Sequence, residues 1–193
     1  MTERERQLAR LVDDHIGVIA AWRQEGLAEV AKFADYCLQG LKQGRTIFFM
    51  GNGGSAADSQ HLAAEFVGRF VKERQGLPAV ALTTDTSILT AVGNDYGFDT
   101  VFARQIEALA RAGDVVVGLS TSGSSPNVVQ ALEAAKRMGA ATIGLTGRSG
   151  GKMAAICDLC IRVPAEATAR IQEIHILIGH LVCHLVDEEF SGV

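Results

Sequence analysis

A histidine and a carboxylate stand four residues apart in the segment Ser55–Phe70, as His61 and Glu65. If this segment is a helix, both side chains lie on one face about one turn apart, with Arg69 near the same stripe. A histidine and a carboxylate at this spacing can act as an acid/base pair or provide two ligands for one metal ion. An ordinary polar pair on a solvated helix face has the same spacing, so the pair alone does not decide between these alternatives.

The predicted last helix, Ala167–Glu189, carries the second group of chemically competent side chains. Gln172 lies there near three histidines that have apolar neighbours, His175, His180 and His184. On an ideal helix the Cα atoms of Gln172 and His180 are about 12 Å apart along the axis. These two side chains could meet only if long side chains converge or if they come from two copies of the helix. The spacing therefore indicates a site at a subunit interface.

A glycine-dense turn, Gly51–Ser55, follows the apolar run Thr46–Met50 and precedes the histidine-bearing segment. Glycine lets the backbone turn tightly and brings its N–H groups close to a ligand. The helix that follows directs the positive end of its dipole at the same place. This order of strand, glycine turn and helix predicts a loop that binds an anion.

The chain repeats this arrangement after a second strand-like run, Asp114–Leu119. The turn Ser120–Ser125 offers five hydroxyl groups and no lysine, ahead of Pro126. The P-loop pattern G-x-x-x-x-G-K-[ST] is absent, so neutral donors and a helix N-terminus would hold the anion. A polar turn with a helix cap is the alternative. Two such loops in one small domain predict a phosphorylated small molecule as the ligand.

A dinucleotide site is a weaker alternative for the first loop. Gly51, Gly53 and Ala56 formally match G-x-G-x-x-G/A. The acidic residue that should close the second strand is missing there, because Thr83 and Thr84 follow that strand and Asp85 comes late.

The segments around these loops alternate between strand-like and helix-like. Apolar strands alternating with helices predict an α/β fold, in which a doubly wound parallel sheet has helices on both faces in three layers. Ser125 is the expected N-cap of the helix that Pro126 begins. The expected strands are Thr46–Met50, Pro78–Leu82, Asp114–Leu119, Ala141–Leu145 and Leu159–Val163; the other expected helices are Ser87–Val92, Val101–Arg111 and Asn127–Met138, with Asn94-Asp95 in a polar turn.

The first 44 residues are predicted to form a helical pair that precedes the core. Thr2 and Glu5 have the spacing of a capping box at the start of the first helix. The second helix is expected over Leu27–Lys42, with Gly44 as its stop. We expect this apolar extension of the single domain 1–193 to pack in an oligomer.

Composition excludes several classes of protein. The chain has 193 residues, 48% hydrophobic content and a net charge of −4, so a polyanionic partner such as nucleic acid is not expected. No run of apolar residues approaches the roughly 18 that a membrane span needs, and no signal peptide is expected. Cys157 and Cys160 are placed in a strand and its approach, where residues three apart face opposite sides and would not bind one metal. Buried, reduced cysteines predict a cytoplasmic protein.

Taken together, these motifs resemble the SIS (sugar isomerase) domain family, and within it the phosphoheptose isomerases, over nearly the whole length. The motifs that carry the resemblance are Gly51–Ser55, the helix with His61, Glu65 and Arg69, Val92-Gly93-Asn94-Asp95, Ser120–Gly123, Leu145-Thr146-Gly147 with Gly150-Gly151, and Arg170–His175.

The resemblance implies a five-stranded parallel sheet, a homotetramer and one zinc ion per subunit. Glu65 would be the base and His180 the acid. The zinc ligands would be His61, Glu65, Gln172 and His180. The substrate-binding residues would be Asn52, Gly53, Gly54, Ser55, Glu65, Asn94, Asp95, Ser120, Thr121, Ser122, Ser125 and Gln172.

The implied reaction converts sedoheptulose 7-phosphate into D-glycero-D-manno-heptose 7-phosphate, through an enediol and without a redox cofactor. It would start the synthesis of heptose precursors for the lipopolysaccharide of the bacterial envelope. The alternative is a non-enzymatic tetramer of the same fold that binds the bacterial replication initiator. That relative lacks the residues matching Glu65 and His180, so their presence here favours the enzyme. Ala169 departs from the family, because some members have an aspartate at this position.

Overall fold

The computed structural model describes residues 1–192 and contains one five-stranded sheet. All strand pairs are parallel, in the order β2-β1-β3-β4-β5. The central strands are buried along their whole length, which matches their continuous apolar sequence. The strands are β1 (Ile47–Gly51), β2 (Ala79–Ala81), β3 (Val115–Ser120), β4 (Ala141–Thr146) and β5 (Leu159–Arg162).

Helices cover both faces of the sheet, as the alternating sequence predicts. One apolar core lies between the sheet and α1, α2 and α7, and a second lies on the α4 and α5 side. Among residues 1–192, no helix combines the length and the apolar composition needed to cross a membrane. The helices are α1 (Glu3–Lys42), α2 (Gly54–Val67), α3 (Thr86–Tyr96), α4 (Ala103–Leu109), α5 (Pro126–Arg137), α6 (Met153–Ile156) and α7 (Thr168–Phe190), with a 3₁₀ turn at Phe98–Thr100.

The strand order creates a crevice at the carboxyl ends of β1 and β3. The chain passes from β1 outward to β2 on one side and returns to β3 on the other side of β1. The loops that leave β1 and β3 therefore diverge at their carboxyl ends, where α/β sheets of this kind bind ligands. Both predicted anion-binding loops begin there, because Gly51 ends β1 and Ser120 ends β3.

The predicted N-terminal helical pair is wrong, because α1 is one continuous helix of 40 residues. The capping box of Thr2 and Glu5 is confirmed. Gly26 does not interrupt the helix. The indole of Trp22 lies across it, 2.3 Å from the position a Cβ atom would take. Packing of this turn outweighs the intrinsic cost of glycine in a helix, which is about 1 kcal/mol.

The predicted polar turn at Asn94-Asp95 is also wrong. Both residues belong to the last turn of α3, which Asp85 caps through its side chain. The helix ends at Tyr96, and Gly97 follows as its C-cap with a φ of 88°.

The two neighbouring cysteines do not face opposite sides of a strand. Cys157 follows α6 directly and only Cys160 belongs to β5. Both Sγ atoms approach Gly144, at 3.0 and 3.5 Å from the position of a Cβ atom there. Both thiols are free, and burial raises the pKa of Cys157 to about 12, so this thiol stays protonated.

Candidate active site

A close approach of α2 and α7 brings together side chains that are far apart in sequence. Gly179 makes this approach possible, because a Cβ atom there would lie 2.3 Å from the Leu62 side chain. The next residue, His180, then faces α2. Its Nε2 atom lies 2.9 Å from Nε2 of His61, and the ring centroids are 5.2 Å apart.

His61 is the centre of this cluster. Its Nε2 atom also lies 3.4 Å from Oε1 of Glu65, one turn later on the same helix. Two imidazole nitrogens 2.9 Å apart share one proton, since one ring must donate and the other accept. The cluster therefore contains a carboxylate and a proton donor within reach of a shared imidazole, as acid/base chemistry requires.

Asp58 lies one turn before His61 and was missed by sequence reasoning. Burial raises the pKa of its carboxyl group, whereas the imidazoles of His61 and His180 lower it. Its Oδ2 atom is buried and has no hydrogen-bond partner among residues 1–192. The spacing of three residues to His61 on a predicted helix was the signal that could have identified it.

An aromatic ring supports the other side of the cluster. Phe70 stacks on His180 with a centroid distance of 5.3 Å and an interplanar angle of 27°. The segment after α2 that carries Phe70 is fixed to α7 by Asp187, which accepts hydrogen bonds from the backbone N–H groups of Val71 and Lys72. Arg74 completes this anchor with a 2.7 Å ion pair to Asp187, in which each side chain is only 1% exposed.

The hydrogen bonds of this anchor favour the ionised form of the Asp187 carboxyl group. Burial would raise the pKa of Asp187, but the hydrogen bonds from Lys72, Val71 and Arg74 outweigh it and hold the pKa below its ordinary value. Arg74 also donates to the backbone carbonyl of Glu65, at 2.8 Å. The anchor therefore fixes the C-terminal end of α2, and with it the backbone of the predicted base, to α7.

Gln172 does not join the histidines in this structure. Its carboxamide lies against the glycine-rich loop, and a Cβ atom on Gly54 would be 2.7 Å from its Nε2 atom. Gln172 and His180 thus lie at different heights along α7, as the expected axial offset implies. In the part of the chain that the structure describes, no group of three or more His, Cys, Asp or Glu side chains is already arranged to hold a metal ion.

The hydroxyl-rich loop forms a connected cluster. Ser120 Oγ lies 2.9 Å from Ser125 Oγ and 3.3 Å from Ser122 Oγ. Ser125 occupies the N-cap position of α5 as predicted, with Pro126 at the first helical position. Its hydroxyl turns towards Ser120, and within residues 1–192 it makes no capping hydrogen bond to the helix. Three clustered hydroxyls therefore lie at the N-terminus of α5, whose positive dipole end favours an anion.

The glycine-rich loop begins α2 in a conformation that glycine allows. Gly53 has φ 55° and ψ −121° at the N-cap, which is strained for residues with a Cβ atom. Ser55 is buried in the first turn. Asn52 exchanges two side-chain hydrogen bonds with Asn127, at 2.8 and 2.9 Å. Asn127 was not among the predicted site residues.

The remaining predicted residues have separate locations. Asn94 and Asp95 are exposed and hydrogen-bonded to each other at 2.8 Å. Thr121 is half-buried in the hydroxyl-rich loop. The other two histidines of α7 are not in the cluster, since His175 is fully buried against the Thr146 carbonyl and His184 faces Glu188 on the surface.

The sequence is similar to a known family and to several named relatives. The SIS domain family model matches residues 12–147. The phosphoheptose isomerase of Akkermansia muciniphila is 58% identical over 85% of this chain and 87% of its own length. That of Trichlorobacter lovleyi is 50% identical over 96% of this chain and 95% of its own length.

Solved structures give the same result. The phosphoheptose isomerase of Neisseria gonorrhoeae has a TM-score of 0.90 and 48% identity, covering 97% of this chain and 100% of that chain. The one from Francisella tularensis has a TM-score of 0.93 and 34% identity, with the same coverage. The chain therefore belongs to the SIS domain family and, within it, to the phosphoheptose isomerases.

Proposed function

We propose that this chain is an aldose–ketose isomerase that converts sedoheptulose 7-phosphate into D-glycero-D-manno-heptose 7-phosphate for envelope heptose synthesis. The single observation that carries the proposal is the contact of His61 with both Glu65 and His180. It brings the carboxylate of Glu65, on the helix that begins at the glycine-rich loop, into one cluster with the imidazole of His180 on α7. Membership of the phosphoheptose isomerases supports the substrate class.

The reaction needs one base and one acid. The Glu65 carboxylate removes a proton from C1 of the ketose and returns it to C2, which converts one carbonyl compound into the other through an enediol. His180 donates a proton to the oxygen on C2 and accepts the proton from the oxygen on C1. Atoms and charge balance without an external oxidant, because the hydrogen moves within the substrate.

The phosphate belongs in the hydroxyl-rich loop. Ser120, Thr121, Ser122 and Ser125 would donate hydrogen bonds, and the N-terminus of α5 would provide its positive dipole end. Asn52, Gly53, Gly54 and Ser55 would then contact the sugar chain across the crevice, with Asn94, Asp95 and Gln172 completing its enclosure.

Zinc is the metal that this donor set fits. Imidazole nitrogen and carboxylate oxygen are ligand types that zinc prefers. His61, Glu65 and His180 would hold the ion, since His61 Nε2 lies 3.4 Å from Glu65 Oε1 and 2.9 Å from His180 Nε2. Gln172 would complete the set by turning away from Gly54. Zinc, when bound, would supply Lewis-acid polarisation of substrate oxygens.

A homotetramer explains the surfaces that one copy leaves uncovered. In the described chain α3 has no buried residue, and the first half of α1 exposes apolar side chains at Leu8, Val12 and Ile16. We place the enzyme in the cytoplasm, where the free thiols of Cys37 and Cys183 stay reduced.

The alternative, a non-enzymatic tetramer that binds the replication initiator, is not favoured. Relatives that are 50–60% identical are named phosphoheptose isomerases. This chain also has both Glu65 and His180, which that class lacks.

The test is to incubate the purified protein with sedoheptulose 7-phosphate and to follow the aldose product by chromatography or NMR. Metal analysis of the same preparation, and activity after chelation and zinc addition, tests the cofactor. No turnover together with tight binding to the replication initiator would refute the enzyme. Full activity without bound metal, unchanged by added zinc, would refute a catalytic zinc ion.

A further inference from the structure

A pair of side-chain amides bridges the crevice between the two ligand loops. Asn52 Nδ2 donates to Asn127 Oδ1 at 2.9 Å, and Asn127 Nδ2 donates to Asn52 Oδ1 at 2.8 Å. Asn52 follows β1, and Asn127 is the second residue of α5, which follows β3. The pair therefore connects the glycine-rich loop to the hydroxyl-rich loop at the point where the strand order diverges.

The backbone of α5 fixes which way both amides point. The Val128 N–H donates to Asn127 Oδ1 at 2.9 Å. A nitrogen at that position would face another donor, so the oxygen must occupy it. Asn127 Nδ2 then faces Asn52, and Asn52 must present its oxygen to Asn127 Nδ2. One backbone N–H thus sets the orientation of both amides.

Burial makes this orientation costly to change. Asn127 is only 2% exposed, so a flipped or missing partner would leave a polar group without water to replace the hydrogen bond. After the pair forms, Asn52 has one N–H and one oxygen lone pair left. This combination suits a hydroxyl group, which donates and accepts, and is unfavourable for a phosphate oxygen, which only accepts.

We propose that Asn127 is a positioning residue that orients the Asn52 amide to bind a sugar hydroxyl group, while the hydroxyl-rich loop binds the phosphate. This inference rests on the proposed function for its substrate. Asn127 touches Asn52 and leaves the reacting atoms to other groups, so its loss should change KM more than kcat.

Two substitutions separate orientation from simple packing. Asn127→Ala removes both hydrogen bonds, and we expect KM to rise about tenfold or more at every pH, the loss that one misdirected hydrogen bond causes. Asn127→Asp places a carboxylate oxygen against Asn52 Oδ1. Burial raises the pKa of this carboxyl group, and its protonated form can donate to Asn52. The ratio of its KM to that of the wild type should therefore fall as pH decreases.

Thr142→Val is the matched control. Thr142 is fully buried and its hydroxyl donates to Asp158. It lies at the start of β4, at the amino-terminal end of the strands and so away from the two ligand loops. This variant should lose a comparable amount of thermal stability and keep the wild-type KM. KM values within twofold of wild type for both Asn127 variants, or an Asn127→Asp defect that does not vary with pH, would overturn the proposal.

A measurement without substrate keeps the two proposals distinguishable. In ¹⁵N-labelled wild-type protein the Asn127 side-chain amide should give a resonance protected from solvent exchange, and Asn52→Ala should remove that protection. Unprotected Asn127 in the wild type would refute the pair whether or not the enzyme turns over. Protection with no turnover of sedoheptulose 7-phosphate would refute the proposed function and retain the amide pair.

Discussion

The chemistry of the cluster depends on where one shared proton resides. The Nε2 atoms of His61 and His180 are 2.9 Å apart, so the two rings cannot both be protonated there without strong repulsion. In the proposed reaction Glu65 is the base and His180 the acid, so the shared imidazole contact lies between the two groups that move protons.

Glu65→Gln should abolish turnover and leave substrate binding intact. The amide keeps the shape of the side chain and loses the ability to accept the C1 proton, a contribution of about 10²–10⁴-fold in kcat. Steady-state kinetics measures the loss, and calorimetric titration with substrate measures the binding that remains.

Glu73→Gln is the control for this change, because Glu73 is an exposed carboxylate paired with Arg69 outside the cluster. It should have wild-type kinetics. A Glu65→Gln enzyme whose kcat stays within a few-fold of the wild type would show that another group removes the proton.

His175 should make stability depend on pH. Burial lowers the pKa of His175 to about 4, with the Thr146 carbonyl opposing the shift, against an ordinary value of 6.5. The unfolded chain takes up a proton near 6.5 and the folded chain near 4. The free energy of unfolding should therefore be fully present above pH 6.5 and decrease by up to about 3 kcal/mol as pH falls to 4.

Urea unfolding of the wild type and of His175→Gln between pH 7 and 4 tests this. The glutamine can still donate to the Thr146 carbonyl but does not titrate, so its stability curve should be flatter over that interval. Parallel curves for the two proteins would assign the acid sensitivity to other groups.

The sequence alone could place two side chains of this cluster together, His61 and Glu65. The spacing of His61 and Glu65 follows from helix geometry alone, since residues four apart share a face. The contact with His180 depends on the packing of α2 against α7 at Gly179, which spacing does not encode. Asn127 was missed for the same reason, because its partner is 75 residues away and only the strand order brings the two together.

At the scale of elements, the two loops differ in what they offer a ligand. The hydroxyl-rich loop has three clustered serine hydroxyls and a helix N-terminus, whereas the glycine-rich loop offers backbone groups and the Asn52 amide. The first suits a phosphate group and the second a chain of hydroxyls. In the proposed function this division would set the direction of the substrate along the crevice.

Replacing both Ser122 and Ser125 by alanine should raise KM by about tenfold to a hundredfold with little change in kcat. In the proposed site the two hydroxyls would contact the phosphate equally in the ground state and the transition state, so their loss should weaken binding only. Inorganic phosphate should also inhibit the variant less strongly than the wild type.

Ser124→Ala is the matched control in the same loop, because Ser124 Oγ accepts a hydrogen bond from the backbone of Lys152 and was not predicted to bind substrate. It should have a near-normal KM. A double variant with reduced kcat and unchanged KM would mean that the loop serves catalysis.

The elements themselves were largely predictable. All five strands lie where apolar runs placed them, with ends that differ by at most one residue, because buried parallel strands have continuous apolar sequences. Two of the errors in the helices occurred at glycines. Gly26 and Gly93 lie inside helices, and nothing local distinguishes them from Gly97, which ends one.

At the scale of the whole molecule, the first half of α1 and the groove beside it expose apolar side chains. A groove of about 490 Å³ lies between α1 and α7, lined by apolar side chains from both helices. His15 Nδ1 lies 2.6 Å from Glu173 Oε2 in its wall. Leu8, Val12 and Ile16 are each more than half exposed. We propose that these exposed apolar side chains pack against another subunit.

Replacing Val12 and Ile16 together by glutamate should break the proposed homotetramer and abolish activity without unfolding the domain. Buried charges without partners oppose association strongly, while the sheet and the second half of α1, which contains the buried Trp22 and Phe33, stay intact. Light scattering should give a smaller mass, and the far-UV circular dichroism spectrum should stay that of the wild type. Turnover should fall because a neighbouring subunit would no longer pack against α3 and the histidine cluster. Asp14→Lys, a charge change on the opposite face of the same helix turn, should keep the wild-type mass and activity. A monomeric double variant with full activity would show that each subunit holds a complete site.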